Sequence, residues 1–370
     1  MKICITRTKK SSYSETFIKD QIALFSDFSE VYPVHTGRFP ERCENNTLLS
    51  PYLFWLLHKT FKIIVGRNNS FSNYGMKKYL KENKIDVVLC NYGTTGSHMV
   101  PICKALNIPL LVIFHGHDAT ENKIINQYRT KYQKLFVYAS YLIAVSEEIK
   151  VKLISYGAPA DKIVVIPCGV DIAKFRPNET SKKENQFLAV GRFAVKKGPL
   201  HTIKAFYQVV RKYPEAKLIM AGSKGGLYSE CEALVKELNL TESVSFTGIL
   251  SPKEIALLMQ TSIAFVQHSI TAPNGDMEGT PVSIMEASAS QLPVISTEHG
   301  GIKDAVVHNK TGFLVAEEDV DGMASYMLRL YENREEAKTM GIAARQHIEH
   351  FYLQSKQIEK IKVLAESTLL

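Results

Sequence analysis

The sequence predicts an α/β chain of two doubly wound domains facing a central cleft, and three observations predict it. The length, 370 residues, exceeds what one hydrophobic core serves and fits two domains of about 150 to 200 residues. Short apolar runs alternate with helix-length patterns through both halves, which implies parallel sheets covered on each face. A polar stretch with a proline and no apolar period, Ala173 to Gln186, reads as a surface linker between the halves. The expected boundaries are 1–172 for the first domain, 173–186 for the linker and 187–351 for the second domain. Residues 352–370 form a final helix crossing back to the first. In doubly wound sheets ligands sit beyond the carboxyl ends of the strands, so the chemistry is sought there.

Strands of the first domain are expected at Lys2–Thr6, Glu30–Val34, Val87–Cys90, Leu110–Phe114, Leu142–Val145 and Ile163–Ile166. Continuous apolar runs such as Leu111–Phe114 suit strands buried on both faces. Strands of the second domain are expected at Phe187–Val190, Lys217–Ala221, Val244–Phe246, Ile263–Val266, Val294–Ser296 and Gly312–Val315. Amphipathic helices fill His201–Lys212, Tyr228–Leu238, Lys253–Gln260, Pro281–Ser290, Gly322–Tyr331 and Glu335–His350. The longest apolar uncharged run, Leu135 to Val145, has 11 residues. That is too short to span a bilayer and reads as a buried strand.

Hydrophobic content of 45% and charged content of 22% are ordinary globular values. The first residues show no apolar signal region, so a cytoplasmic protein is expected. Six cysteines form no C-x-x-C pair and read as reduced, mostly buried thiols. Residues 1–175 carry 23 Lys+Arg against 14 Asp+Glu, a net of +9, while the remainder is close to neutral. A basic first half faces something anionic. No recognisable nucleic-acid motif is present, so an anionic membrane surface or a phosphate-bearing acceptor is the expected partner rather than nucleic acid.

Two segments of the second domain carry the chemistry. Strand Phe187–Val190 leads into Gly191-Arg-Phe-Ala-Val-Lys-Lys-Gly198, a turn that places Arg192 and Lys197 at the sheet's carboxyl edge. A planar fork and a compact charge together suit a diphosphate. Further on, Glu278-Gly-Thr-Pro-Val-Ser-Ile-Met-Glu286 sets two carboxylates eight positions apart around a helix start with Pro281 in its first turn. Backbone N–H groups and the macrodipole at such a start attract phosphate. Eight residues of helix span about 12 Å, the length of an extended nucleotide-sugar.

These two motifs resemble retaining glycosyltransferase family 4, of the GT-B fold with two Rossmann-like domains. Other pieces match in order: Phe114-His115-Gly116-His117-Asp118, Ala144-Val-Ser146, Ile166-Pro-Cys-Gly-Val-Asp171, Phe246-Thr-Gly248 and Glu298-His-Gly-Gly-Ile302. The match covers essentially the whole chain and is strongest from about 110 to 316. The combination around Gly275–Pro281 with Ser296–Ile302 is similar to members that build bacterial exopolysaccharide and lipopolysaccharide, such as the colanic acid group. The resemblance implies transfer of a hexose from a UDP- or GDP-sugar to a hydroxyl of a glycan acceptor, lipid-linked, with retention and with no metal or other cofactor. Arg192 and Lys197 would bind the donor diphosphate, Glu278 the donor sugar and Glu286 the ribose. Backbone N–H groups around Gly279, Thr280, Pro281 and Val282 would add to diphosphate binding. His115 and Asp118 would line the cleft from the first domain, and Ile249 would lie by the donor.

Several tempting features have plainer readings. His117 reads as structural, Ser146 as an N-cap, and Asp276 after Asn274-Gly275 as a turn residue. Gly222-Ser-Lys-Gly-Gly226 is not a dinucleotide fingerprint. Asp319-Val-Asp321 spells a metal-binding D-x-D, but Asp321 reads as a helix cap. Family relatives carry a glycine pair in the first loop, where this chain has Thr8 to Phe17; Ser14 and Glu15 are the acceptor-side candidates there. Residues 51–65 mix aromatics, aliphatics and lysine, as in an interfacial helix with Trp55 at the headgroups and Lys59 and Lys62 by lipid phosphates.

Overall fold

The computed structural model describes residues 1–10, 16–65, 70–178 and 185–370. It divides into two units, one made of Met1–Ile166 with Gln357–Leu370, the other of Pro167–Lys356. Each is an α/β sandwich around one sheet, all parallel in the second unit and parallel but for one edge pair in the first.

Among the described residues of the first unit, one sheet holds β1 (Lys2–Thr6), β2 (Glu30–His35), β3 (Arg42–Cys43), β4 (Val87–Asn91), β5 (Leu110–Phe114), β6 (Tyr141–Ala144) and β7 (Ile163–Val165). Their order is β3-β2-β1-β4-β5-β6-β7, parallel throughout except for the antiparallel β2–β3 pair. β3 was not expected; two residues are too few to show an alternation. The apolar run Leu135–Val145 is not one strand. It divides between the end of helix Asn122–Tyr138 and β6, because Leu135 and Phe136 face the core while Val137 is 79% exposed, a helical rather than an alternating pattern. β4 and β5 are fully buried, and helix Gly93–Leu106 covers them so closely that a Cβ on Gly93 would lie 2.0 Å from the Phe114 ring.

The second unit holds β8 (Gln186–Val190), β9 (Lys217–Ala221), β10 (Val244–Gly248), β11 (Ala264–Gln267), β12 (Val294–Thr297) and β13 (Gly312–Val315), in the order β10-β9-β8-β11-β12-β13, all parallel. Its helices fall where the apolar period placed them. Helix Pro252–Thr261 shows why: Pro252 opens it, and Ser251 with Glu254 closes a reciprocal capping box. Helix Val320–Glu332 is capped by Asp319, which accepts the Gly322 N–H, and not by Asp321, which accepts from Gln208.

In both sheets the strand order reverses once, between β1 and β4 and between β8 and β11. The loops leaving such a pair diverge to opposite faces and open a crevice at the carboxyl ends.

Candidate active site

The second unit's crevice is built on one glycine. Val195–Lys197 make a single 3₁₀ turn that ends at Gly198 with φ +53°, and a Cβ there would lie 1.7 Å from the His268 carbonyl oxygen. Only glycine tolerates both the left-handed backbone and the close approach. The turn folds Lys197 back over Gly191, while Arg192 stands exposed on the loop. Lys197 Nζ donates to Gln267 Oε1 at 3.3 Å and to Glu278 Oε2 at 3.1 Å. Gln267 is the last residue of β11, and its own amide nitrogen donates to Ser269, so its oxygen is left to accept. An ammonium has three protons, and these two contacts use two. Gly191, Arg192, Lys197, Thr202 and Gln267 line a pocket at this edge.

Glu278 does not lie on a helix, contrary to the 12 Å estimate. The helix runs Val282–Ala289, with Pro281 as the residue before it and Gly279-Thr280 in a bend. The helical rise from Val282 to Glu286 is only about 6 Å. Pro281 has no N–H to offer a phosphate, so the amides near Gly279, Thr280 and Val282 are what this start presents. Thr280 Oγ1 accepts the Cys168 N–H at 3.2 Å, and Glu286 is half-buried on the second helical turn.

Glu278 itself is 6% exposed. Burial by itself raises the carboxyl's pKa, but Lys197 and Lys196 outweigh that effect and leave it below the ordinary value, so it is ionised. Its Oε1 is buried with no hydrogen-bond partner among the described residues. A buried carboxylate oxygen without a donor is costly, so Oε1 is left with an unmet acceptor position beside the Lys197 pair. Lys196 anchors the same segment by donating to Asp276 Oδ1 and the Met277 carbonyl, both at 3.0 Å. Asp276 is thus an anchor and not merely a turn residue. His299 lies behind Glu278, accepting its backbone N–H on Nε2 at 3.0 Å.

In the first unit β4 ends on Asn91, and Tyr92 follows at φ +75°, a strained conformation for a non-glycine residue. Asn91 Nδ2 donates to the Thr6 carbonyl and to Gln21 Oε1, so Oδ1 is its acceptor; it takes the His115 Nε2 proton at 2.8 Å. The ring packs against Phe17 and Tyr92, each with centroids 4.9 Å away. Burial, with the nearby His117, pushes the His115 pKa down to about 3, so the imidazole is neutral with its proton on Nε2.

Asp118 does not line a surface. It is 0% exposed, and its oxygens accept the N–H groups of Gly93, His115 and Gly116 at 2.8, 3.0 and 3.1 Å. A short acidic side chain after a strand exit folds back onto neighbouring amides, so Asp118 staples the β4 and β5 loops. His117 packs on Tyr92, and Ser146 caps helix Glu147–Ser155. Ile249 is 56% exposed just beyond β10. Ser14 and Glu15 lie outside the described residues.

Helix Tyr52–Val65 corrects another expectation. Trp55 Nε1 and Lys59 Nζ both donate to Glu41, each at 3.0 Å, so both are tied to that carboxylate. The outward stripe is Tyr52, Leu53, Leu56, Leu57 and Ile63, with Ile63 84% exposed. The Lys62 side chain lies outside the described residues. Among the described residues no helix is long and apolar enough to cross a membrane.

The chain's sequence matches two known family models. Residues 171–347 match the model of glycosyl transferases group 1, and residues 34–174 match that of glycosyltransferase family 4. The chain is 30% identical over 268 residues to the amylovoran biosynthesis glycosyltransferase AmsK of Erwinia amylovora, covering 71% of this chain and 66%, just under two thirds, of that relative. It is 26% identical to the putative colanic acid biosynthesis glycosyltransferase WcaL of Escherichia coli, covering 96% of this chain and 97% of the other. The crystal structure of Anabaena HepE in complex with UDP and glucose superposes with a TM-score of 0.78 at 19% identity, over 99% of this chain and 100% of that one.

Proposed function

Because the chain belongs to glycosyltransferase family 4, enzymes of the GT-B fold that transfer sugars, we propose that it moves a hexose from a UDP- or GDP-sugar to a hydroxyl of a glycan acceptor. The observation that carries the donor assignment is the buried Glu278 Oε1, without a partner among the described residues while Lys197 holds the other oxygen. In this reading Oε1 accepts a donor sugar hydroxyl. The third Lys197 proton and Arg192 meet the diphosphate, Glu286 the ribose, and the amides at Gly279, Thr280 and Val282 add to phosphate binding. Fixed cations aimed at a leaving group that gains charge lower the barrier, and they take the place a metal ion occupies in other sugar transferases. The acceptor oxygen forms its bond to the anomeric carbon as the bond to the diphosphate breaks. The acceptor's proton passes to the departing phosphate oxygen on the same face, which retains the configuration. His115, neutral and oriented by Asn91, is the first unit's candidate for a hydroxyl contact.

The relatives named for amylovoran and colanic acid biosynthesis support a role in bacterial surface polysaccharide synthesis. The outward apolar stripe of helix Tyr52–Val65, on a half of the chain carrying net +9, supports a lipid-linked acceptor met at an anionic membrane surface from the cytoplasmic side. The test is a panel of nucleotide-sugars screened for thermal stabilisation and for transfer. A ligand at 100 times its Kd adds roughly 2.7 kcal/mol. One donor is expected to stabilise the wild type and to be consumed without added metal; a protein that no nucleotide-sugar stabilises is not this enzyme.

A further inference from the structure

The segment from Thr271 to Pro281 has no regular secondary structure, yet it carries Glu278, whose Oε1 is buried without a hydrogen-bond partner among the described residues. Something other than a ladder of backbone hydrogen bonds must set its position. One anchor is Lys196. The other is a relay running away from the crevice. The Glu278 N–H donates to His299 Nε2 at 3.0 Å, and a nitrogen that accepts a backbone proton carries none itself. The ring proton is therefore on Nδ1, which lies 2.7 Å from Glu317 Oε1. The His299 side chain is 0% exposed, so no water competes for either nitrogen. Glu317 is held in turn by the Thr271 N–H at 2.7 Å and the Thr271 hydroxyl at 3.0 Å. The next turn closes the clamp: Gly300, at φ +49°, lies so close to Glu278 that a Cβ on it would be 2.3 Å from the Glu278 carbonyl oxygen.

These residues come from the loops after β11, β12 and β13, so a single carboxylate at the sheet edge ties three loops together. We propose that Glu317 and His299 are positioning residues for Glu278: Glu317 selects the Nδ1–H tautomer of His299, and that tautomer fixes the Glu278 backbone and with it the carboxylate that pairs with Lys197. The kinetic part rests on the reading of Glu278 as a donor sugar contact; the positional part does not. Gln in place of Glu317 can donate to Nδ1, which releases the tautomer and turns an Nε2 proton against the Glu278 N–H. In place of His299, Gln sets a carbonyl oxygen near the Nε2 position and keeps the acceptor, whereas Asn sets its amide near Nδ1 and loses it.

The experiment compares wild type, Glu317→Gln, His299→Gln and His299→Asn in the full chain, with two readouts. Amide hydrogen exchange at Glu278 needs no substrate: protection is expected to fall in Glu317→Gln and His299→Asn and to persist in His299→Gln. Equal protection in all four overturns the relay, whatever the protein does with donors. With the donor found in the panel, kcat is expected to fall by about two orders of magnitude in Glu317→Gln and His299→Asn, the scale of a 1 Å misplacement, with His299→Gln recovering most of it. Lost protection with an unchanged kcat overturns the claim that this positioning serves transfer. Glu317 is one-third exposed at its side chain, so Glu317→Gln keeps the fold and the comparison stands even where a His299 variant does not fold.

Discussion

Lys197 Nζ lies 3.1 Å from Glu278 Oε2, and the two side chains are only 20% and 7% exposed. A buried ion pair of this kind behaves asymmetrically: losing one partner strands the other's charge. Lys197→Met is expected to destabilise the protein by about 3 kcal/mol or more as well as to remove transfer. The double variant Lys197→Met/Glu278→Gln is expected to regain most of that stability and none of the activity. Urea unfolding of the four proteins of the cycle measures the coupling, and additive losses would contradict the pairing.

The Gly198 turn sets where Lys197 points. Gly198→Ala meets both a left-handed backbone and the His268 carbonyl, so the turn has to move. A loss of about 2 kcal/mol or more is expected, together with weakened donor binding. Thermal unfolding and donor titration check it; an alanine variant with wild-type values would mean the turn does not place Lys197.

His115 gives a pH dependence of known sign. Its pKa falls from 6.5 to about 3 on folding, so within that window the unfolded chain binds the extra proton. The contribution is full above pH 6.5 and is lost as pH falls towards 3. Unfolding midpoints of wild type are expected to drop more steeply between pH 6.5 and 5 than those of His115→Asn. A His115 imidazole that titrates near 6.5 by NMR would exclude the neutral, Asn91-bound ring.

Asp118 is expected to matter for stability, and for chemistry only through the loops it holds. Asp118→Ala leaves three backbone donors unsatisfied and is expected to cost about 1 to 3 kcal/mol. The companion reading is the His115 ring resonance, which should shift as its loop loosens.

For the apolar stripe, Leu53→Glu with Ile63→Glu is expected to abolish binding to anionic liposomes at low salt. Donor-driven thermal stabilisation should be unchanged. Retained binding would remove helix Tyr52–Val65 from the membrane account.

Much of this was legible in the chain, and what was not has physical causes. Alternation of apolar runs revealed both sheets, because parallel strands buried on two faces must be nearly continuous in Val, Ile and Leu. It gave no sign of β3, which is two residues long, and it mistook the helix end at Leu135–Tyr138 for strand. The charged residues Lys197 and Glu278 were visible as types and spacing. Their partners were not: Gln267 ends an apolar strand, and Glu317 looks like one more surface acid after β13. His299 stood inside a quoted motif without a role. Loops separated by tens of residues met only in three dimensions, which no local period encodes. Asp118 failed in the opposite way, since a carboxylate at a strand exit reads as functional until its oxygens are found spent on amides.

Asn91 and Gln267 occupy corresponding places, each the final residue of the strand across the reversal in its own sheet, and each holds a neighbouring side chain, His115 or Lys197, through a carboxamide oxygen. A carboxamide neither gains nor loses a proton in water near neutrality. The grip on the imidazole and the ammonium is therefore blind to acidity. Neither carboxamide can therefore supply an acid or alkaline limb to the enzyme's activity, and any such limb has to originate with other groups.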